Sequence, residues 1–373
     1  MLQDLLVIEL AGVLAGPSVG MFLAELGARV IKVENPRTRG DVTRSWHLAS
    51  EDSADDRPAY FCAVNWGKES LALDLTDPED LALLQRMIGR ADVLLGSFVP
   101  GQAPRLGLDP EELLHRHPRL IIGEVNGYGP DEARPAFDAI IQAEAGFTYL
   151  NGTPGAVHKM PVALMDVLAA HQLKEALLLA YIERLHTGRG RRVQVSLLQS
   201  GLASLANQAT NWLVGGVLPQ PKGSDHPNIV PYGTIFTTAA GGRVVLAVGN
   251  DRQFAALCAV LGEAVPTEWA SNAARVQHRE AVQRWLSQRL ASWPQDALLE
   301  ALHARGVPAG AVNDMQQALA QPLAQPLLLS SDGLGGLRSL VAEGLPKQTL
   351  SPPPHLNAQG KALREEFGGE WWA

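Results

Sequence analysis

The stretch Asp4–Glu34 constrains the fold of this chain more than any other. Asp4–Leu10 is a short, nearly continuous apolar run, the mark of a strand covered on both faces. Ala11–Gly16 is a turn of small residues, and Pro17 suits the first position of a helix. That helix carries Met21, Phe22, Ala24 and Leu26 and stops at Gly27. Arg29–Glu34 (RVIKVE) is a second strand. Strand, helix and strand in this order require a crossover and hence a parallel pair. Further strands are expected at Leu71–Leu75, Asp92–Phe98 and Leu120–Val125, with helices at Glu79–Arg90 and Pro110–His115. Asp109, followed by Glu112, is a good start for the second of these helices. The alternation predicts an α/β fold: a doubly wound, mostly parallel, Rossmann-like sheet. Ligands of such sheets bind beyond the carboxyl ends of the strands. Those ends are Ala11–Gly16, Asn35–Gly40, Phe98–Gly101 and Asn126–Gly129.

A second informative stretch is His158–Ser200. A loop with Gly152, Pro154, Gly155 and Pro161 leads to Asp166, and an apolar helical run follows to about His186. Val167, Ala170, Leu173, Leu177, Leu178 and Ile182 have the spacing of a buried helix. A Gly/Arg turn, Thr187–Arg192, leads into strand-like Val193–Leu198. Asp166 lies in the first helical turn, where free N–H groups and the dipole favour an anion. The residues alone leave two readings open, a helix cap or a functional carboxylate.

From Gln199 to Gly216 a helix with Leu202, Leu205 and Trp212 is expected, then a Pro/Gly-rich link, Val217–Pro231. Composition changes after it. Tyr232–Phe236 and Arg243–Val248 read as a hairpin, with helices at Asp251–Leu261, Arg279–Leu290 and Gln295–Arg305. Residues 1–200 and 325–373 are therefore expected to form the large domain and 232–305 a smaller α+β domain. Residues 201–231 and 306–324 would be linkers. Leu327–Leu350 is expected to be extended, and Asn357–Trp372 an acidic tail with one short helix.

A chain of 373 residues suits one large domain plus a smaller one. A net charge of −8 argues against nonspecific nucleic-acid binding. No run approaches the ~18 apolar residues of a membrane span, and the N-terminal residues show no secretion pattern. A cytoplasmic protein is expected. Cys62 and Cys258 give neither a disulfide framework nor zinc spacing, and the scattered histidines give no metal site. Gly67-Lys68-Glu69-Ser70 is not a phosphate loop, since Cys62 stands where the leading glycine belongs and Glu69 where Ser or Thr does. The dinucleotide fingerprint GxGxxG does not occur at a strand end. Arg37, Arg39, Arg44 and nearby Lys68 read either as a solvated loop or as a site for a phosphorylated ligand at the sheet edge.

Taken together, several segments resemble the class III CoA-transferase (CaiB/BaiF) family, which includes formyl-CoA and carnitine CoA-transferases and, more distantly, alpha-methylacyl-CoA racemase. They are VLAGPSVGMFLAELGARVIKVENP, GDVTRSW, NWGKESLALDL, ADVLLGSFVPG with RLGL, PRLIIGEVNGYG, MDV, HTGRGRRVQVSLLQS, VPAGAVN and SPPPHL. The resemblance implies that Asp166 is a nucleophile, moving CoA from an acyl-CoA to a small carboxylate through an aspartyl covalent intermediate. This is covalent catalysis, and a carboxylate ionised at neutral pH would need no base. CoA and acyl-CoA would be substrates, with no permanently bound cofactor and no metal. The implied CoA contacts are Val13, Leu14, Ala15, Arg37, Leu73, Thr76, Ser97, Phe98, Arg105 and Phe137, although Leu73 and Phe98 also read as strand core. The family further implies an interlocked homodimer with the site at a domain junction, its crossing segments around Val217–Pro231 and Gly306–Asn313.

Four positions depart from the family pattern. Leu14 replaces a glutamine near the small dicarboxylate of formyl-CoA transferase, which speaks against an oxalate-type substrate. Ser97 replaces an asparagine, Phe137 a tyrosine and Thr76 a lysine. The rival reading is a 2-methylacyl-CoA racemase, which needs two proton carriers flanking one carbon. Phe137 and Asn250 stand where racemases place a His and a Glu, and neither suits that work. A non-catalytic acyl-CoA-binding protein is the third reading, opposed by the retained Asp166.

Overall fold

The computed structural model of the chain describes residues 1–98 and 101–369. Val99 and Pro100 of the expected strand-end loop, and the last residues of the expected tail, lie outside them. The chain divides into two compact units. The first comprises Met1–Ala145, Met160–Ala206 and the segment from Gln325 onward; the second comprises Gly146–Lys159 and Asn207–Ala324.

The first unit is built on six strands, β1 (Leu6–Leu10), β2 (Arg29–Glu34), β3 (Lys68–Ala72), β4 (Val93–Gly96), β5 (Ile121–Asn126) and β6 (Arg192–Ser196). All pair in parallel, in the order β3-β2-β1-β4-β5-β6. This is the doubly wound, Rossmann-like sheet that the alternating pattern predicts. The order reverses between β1 and β4, so their carboxyl ends open a crevice at the switch point. Val7 and Ile8 are wholly buried, as are Leu84, Met87 and Ile88 of the helix Pro78–Arg90. Helix α1 (Ala15–Glu25) follows β1 directly.

Three departures from the expected elements have identifiable causes. The third strand starts at Lys68 rather than Leu71, with Val30 opposite Lys68 and Glu34 opposite Ala72. Lys68 and Ser70 read as loop residues, yet both are buried and bonded to carboxylates. The strand after the Gly/Arg turn ends at Ser196, because its hydroxyl accepts the Gln199 N–H and caps a new helix, Leu197–Ala203. A second helix, Ala206–Leu213, follows a break at Ala206, whose φ is +46°, so Gln199–Gly216 is not one helix.

The expected acidic tail is structural up to Gly368. Asn357 Oδ1 and Gln359 Oε1 accept the N–H groups of Ala72 and Ser70 along edge strand β3. Helix Gly360–Gly368 then sets Leu363 and Phe367 in the core. The C-terminal segment thus closes an edge that would otherwise offer free N–H groups.

The second unit holds a three-stranded antiparallel sheet, β7 (Tyr232–Thr237), β8 (Arg243–Ala247) and β9 (Ala309–Ala311). Helices Asp251–Val260, Arg279–Leu290 and Gln295–Ala304 contribute Phe254, Leu286 and Leu298 to its core. β9 and the helix Met315–Ala320 lie inside 306–324, which reads as a linker in the sequence. Val307, 1% exposed, joins the same core, so this segment is part of the unit's fabric. Part of Leu327–Leu350 is extended: β10 (Leu328–Ser331) and β11 (Leu334–Leu337) form a hairpin of the first unit. Among the described residues no helix is long and apolar enough to cross a membrane.

Candidate active site

The crevice between the ends of β1 and β4 holds a cavity of about 190 Å³. Its walls are the turn Gly12–Gly16, Ser97 and Phe98 after β4, Asn126 and Gly127 after β5, the loop residues Glu132, Arg134 and Phe137, and Asp166. Gly96 makes room for the Phe98 ring, since a Cβ there would lie 2.5 Å from it.

Asp166 is the third residue of the helix Leu164–Thr187, whose N-cap position is Ala163. It does not cap that helix, which settles the capping alternative. The Met165 N–H is instead bound by Asp138, at 2.8 Å, from another segment. Asp138 also accepts a bond from Gln142 at 2.8 Å. Asp166 is 9% exposed and accepts no hydrogen bond among the described residues. Burial, and then the negative charge of Asp138, push its carboxyl up to about 7. The expectation of a fully ionised carboxylate is therefore corrected: near neutrality the group is poised between its two forms.

The turn Gly12–Gly16 in the cavity wall carries one strained residue. Val13 has a φ of +68°, a left-handed conformation that a β-branched residue adopts only under constraint. Its N–H donates to Asp41 Oδ2 at 3.1 Å. No side chain caps α1, and its first residues Ala15 and Gly16 line the cavity, so its positive end opens there.

Of the residues expected to contact CoA, Val13, Leu14, Ala15, Ser97, Phe98 and Phe137 line this cavity with Asp166. Arg37, Leu73, Thr76 and Arg105 do not. Exposed Arg37 pairs with Asp74 at 2.6 Å, and the Thr76 hydroxyl donates to the same carboxylate at 2.7 Å. They form a separate cluster beyond the ends of β2 and β3. Leu73 is 1% exposed, packs in the core and donates its N–H to the Glu34 carbonyl at 2.9 Å, so it is closed to a ligand. Arg105 is exposed on a short helix, Gln102–Arg105.

The reading of Arg44 and Lys68 as phosphate ligands is overturned. Arg44 Nη2 is buried on Glu34 at 2.8 Å, and Lys68 on Glu9 at 2.8 Å. Asp138, Glu132 and Arg134 lie outside the segments that carry the resemblance, and Lys32 and Asp41, inside RVIKVENP and GDVTRSW, are not among the residues the sequence marks for the site. Arg134 stacks on Tyr128 and pairs with Glu132 and Glu144. Asn250, the racemase-position residue, caps the helix Asp251–Val260 through Gln253 N. Among the described residues Asp55, Asp56 and His355 have metal-ligand proximity. Their carboxylates are already engaged by Arg57, Arg44 and the Leu356 N–H.

The fold and this crevice define a doubly wound α/β protein with a buried, unpaired carboxylate at its switch point. Residues 2–335 match the model of CoA-transferase family III, and the chain belongs to that family of enzymes. It is 37% identical to the succinate–glutarate CoA-transferase of Agrobacterium fabrum, over 98% of this chain and 95% of the relative. Identity to the acetyl-CoA:oxalate CoA-transferase of Acetobacter aceti is 34%, with the same coverage. A solved CaiB/BaiF family protein from Brucella suis superposes with a TM-score of 0.86 at 36% identity, covering 98% of this chain and 99% of that one.

Proposed function

We propose that Asp166 is the covalent carrier of an acyl-CoA:carboxylate CoA-transferase. The observation that supports this reading is a carboxylate at the switch-point cavity with no hydrogen-bond partner among the described residues, in the first turn of its own helix and sharing the cavity with the uncapped start of α1. The ionised Asp166 oxygen attacks the thioester carbonyl, the C–S bond breaks, and CoA thiolate leaves a mixed anhydride. The thiolate then attacks the aspartyl carbonyl and releases the donor's carboxylate, leaving an aspartyl-CoA thioester. An acceptor carboxylate reverses both steps and departs as the new thioester. Each exchange conserves the high-energy acyl bond, so no cofactor is required. N–H groups at the start of α1 suit the oxyanions that develop.

The named relatives act on succinate, glutarate and oxalate, which supports a small carboxylate as acceptor. Leu14 and Phe137 in the cavity wall favour an acyl group less polar than oxalyl. Arg37 and Thr76 would meet the nucleotide end of CoA. Racemisation finds no second proton carrier at Phe137. We further propose a cytoplasmic homodimer as the working form.

Incubation with acyl-CoA followed by hydroxylamine, and mass spectrometry of the peptide spanning residue 166, tests the chemistry. Wild-type protein should yield a hydroxamate at Asp166. Asp166→Ala should lose transfer by at least ~10⁴-fold while retaining CoA binding. An active Asp166→Ala enzyme would refute the proposal.

A further inference from the structure

Beneath the Ala11–Pro17 turn lies a group of four charged side chains that are not among the residues lining the cavity. Glu9, Lys32, Lys68 and Asp41 are 0%, 1%, 2% and 8% exposed. Lys32 Nζ binds the Ala11 carbonyl at 2.7 Å, Glu9 at 3.1 Å and Asp41 at 2.9 Å. Lys68 Nζ binds Glu9 and the Pro17 carbonyl, the latter at 2.9 Å. Asp41 Oδ2 accepts the Val13 N–H, and its Oδ1 accepts the N–H and hydroxyl of Thr43 at 3.0 and 2.9 Å. The turn is therefore gripped at its start, at its strained residue and at its end. Burying four charges is costly unless each is paired, and a hydrogen-bonded scaffold with apolar neighbours would serve stability as well. What this group supplies besides is an acceptor for the N–H of left-handed Val13.

We propose that Asp41, backed by Lys32, is a positioning residue that holds Val13 in its strained conformation and so keeps the Leu14–Gly16 backbone in place along the cavity that Asp166 shares. This inference rests on the covalent reading of Asp166 above. A carboxylate is required at position 41 because both oxygens accept while Lys32 donates. Asparagine has nearly the same shape, but its amide N–H₂ would face either the Lys32 and Val13 donors or the Thr43 donors.

The test compares wild-type, Asp41→Asn and Asp41→Asn/Val13→Gly proteins, with Asp41→Ala as a second single variant. Two quantities are measured: amide hydrogen exchange at Leu14–Gly16 without substrate, and the single-turnover rate of the hydroxylamine-sensitive adduct at saturating acyl-CoA. Asp41→Asn should speed exchange at these amides at least ~10-fold and slow adduct formation at least ~10-fold. Glycine at position 13 populates positive φ without strain, so the double variant should regain at least ~3-fold of the lost rate. A merely structural role would not be rescued in this way. Folded single variants with wild-type exchange, or a slowed adduct step that glycine leaves unchanged, would overturn the proposal. Exchange reads the turn without chemistry: wild-type protein that forms no adduct defeats the covalent reading alone, whereas unchanged exchange defeats this one.

Discussion

At the scale of single residues, the site depends on two carboxylates with different surroundings. Asp138 is hydrogen-bonded to Met165 N and Gln142, whereas Asp166 has burial and a like charge for company. Burial and like charge both favour the protonated form. Attack requires the ionised form, so on the proposed mechanism adduct formation should rise with pH and level off above about 7. Replacing Asp138 by asparagine removes the neighbouring charge and keeps an acceptor for Met165 N. The rising limb should then move to lower pH by roughly one unit, as expected for loss of one nearby like charge. A pH profile of single-turnover adduct formation checks this; an unmoved midpoint would show that Asp138 does not set it. Legibility at this scale was uneven. Asp166 stood out by the family resemblance of its motif. Asp138 did not, because its work is to bond a helix that begins some way down the chain.

Among the elements, the decisive unit is β1, its turn and α1. The pattern of apolar run, small residues, proline and RVIKVE is enough to predict it, because each local preference agrees with the parallel crossover. The pattern could not announce how closely α1 rides over the buried charges. A Cβ at Gly20 would stand 1.8 Å from Glu9 Oε2, and Glu9 is held by Lys68 at 2.8 Å and Lys32 at 3.1 Å. Gly20→Ala should therefore cost about 2–3 kcal/mol, as overpacking does where the neighbour cannot yield. Urea unfolding should show a lower midpoint with an unchanged slope. A neutral Gly20→Ala would mean that Glu9 moves freely. Lys68 misled the reading of β3 for the same reason: a lysine in sequence looks solvated, and only a partner from β1 makes its burial affordable.

For the whole molecule, each unit leaves apolar side chains uncovered. Leu179, Ile182 and Leu185 of the long helix are 67%, 50% and 66% exposed in the first unit. Trp212, Leu213 and Val214 are 53%, 75% and 86% exposed in the second. Contiguous apolar surface of this kind marks association, and a second copy of the chain is the occupant we propose. We expect one dimeric species in sedimentation, with dissociated chains unfolded or inactive. A stable, active monomer would contradict this.

Asp166 was singled out only by the resemblance to the family, whereas local information in the chain was sufficient for the parallel α/β class, for most of the expected helix limits and for the turn at the end of β1. These are consequences of periodicity, glycine and proline placement, and short motifs, all of which act within a few residues. Tertiary structure alone decided that Asp166 is unpaired and shifted, that Arg44 and Lys68 are internal, and that Asn357 and Gln359 close the sheet edge. It also decided that 306–324 contributes a strand. Each of these turns on a partner far along the chain, and burial and charge pairing belong to the assembled space rather than to neighbours in sequence.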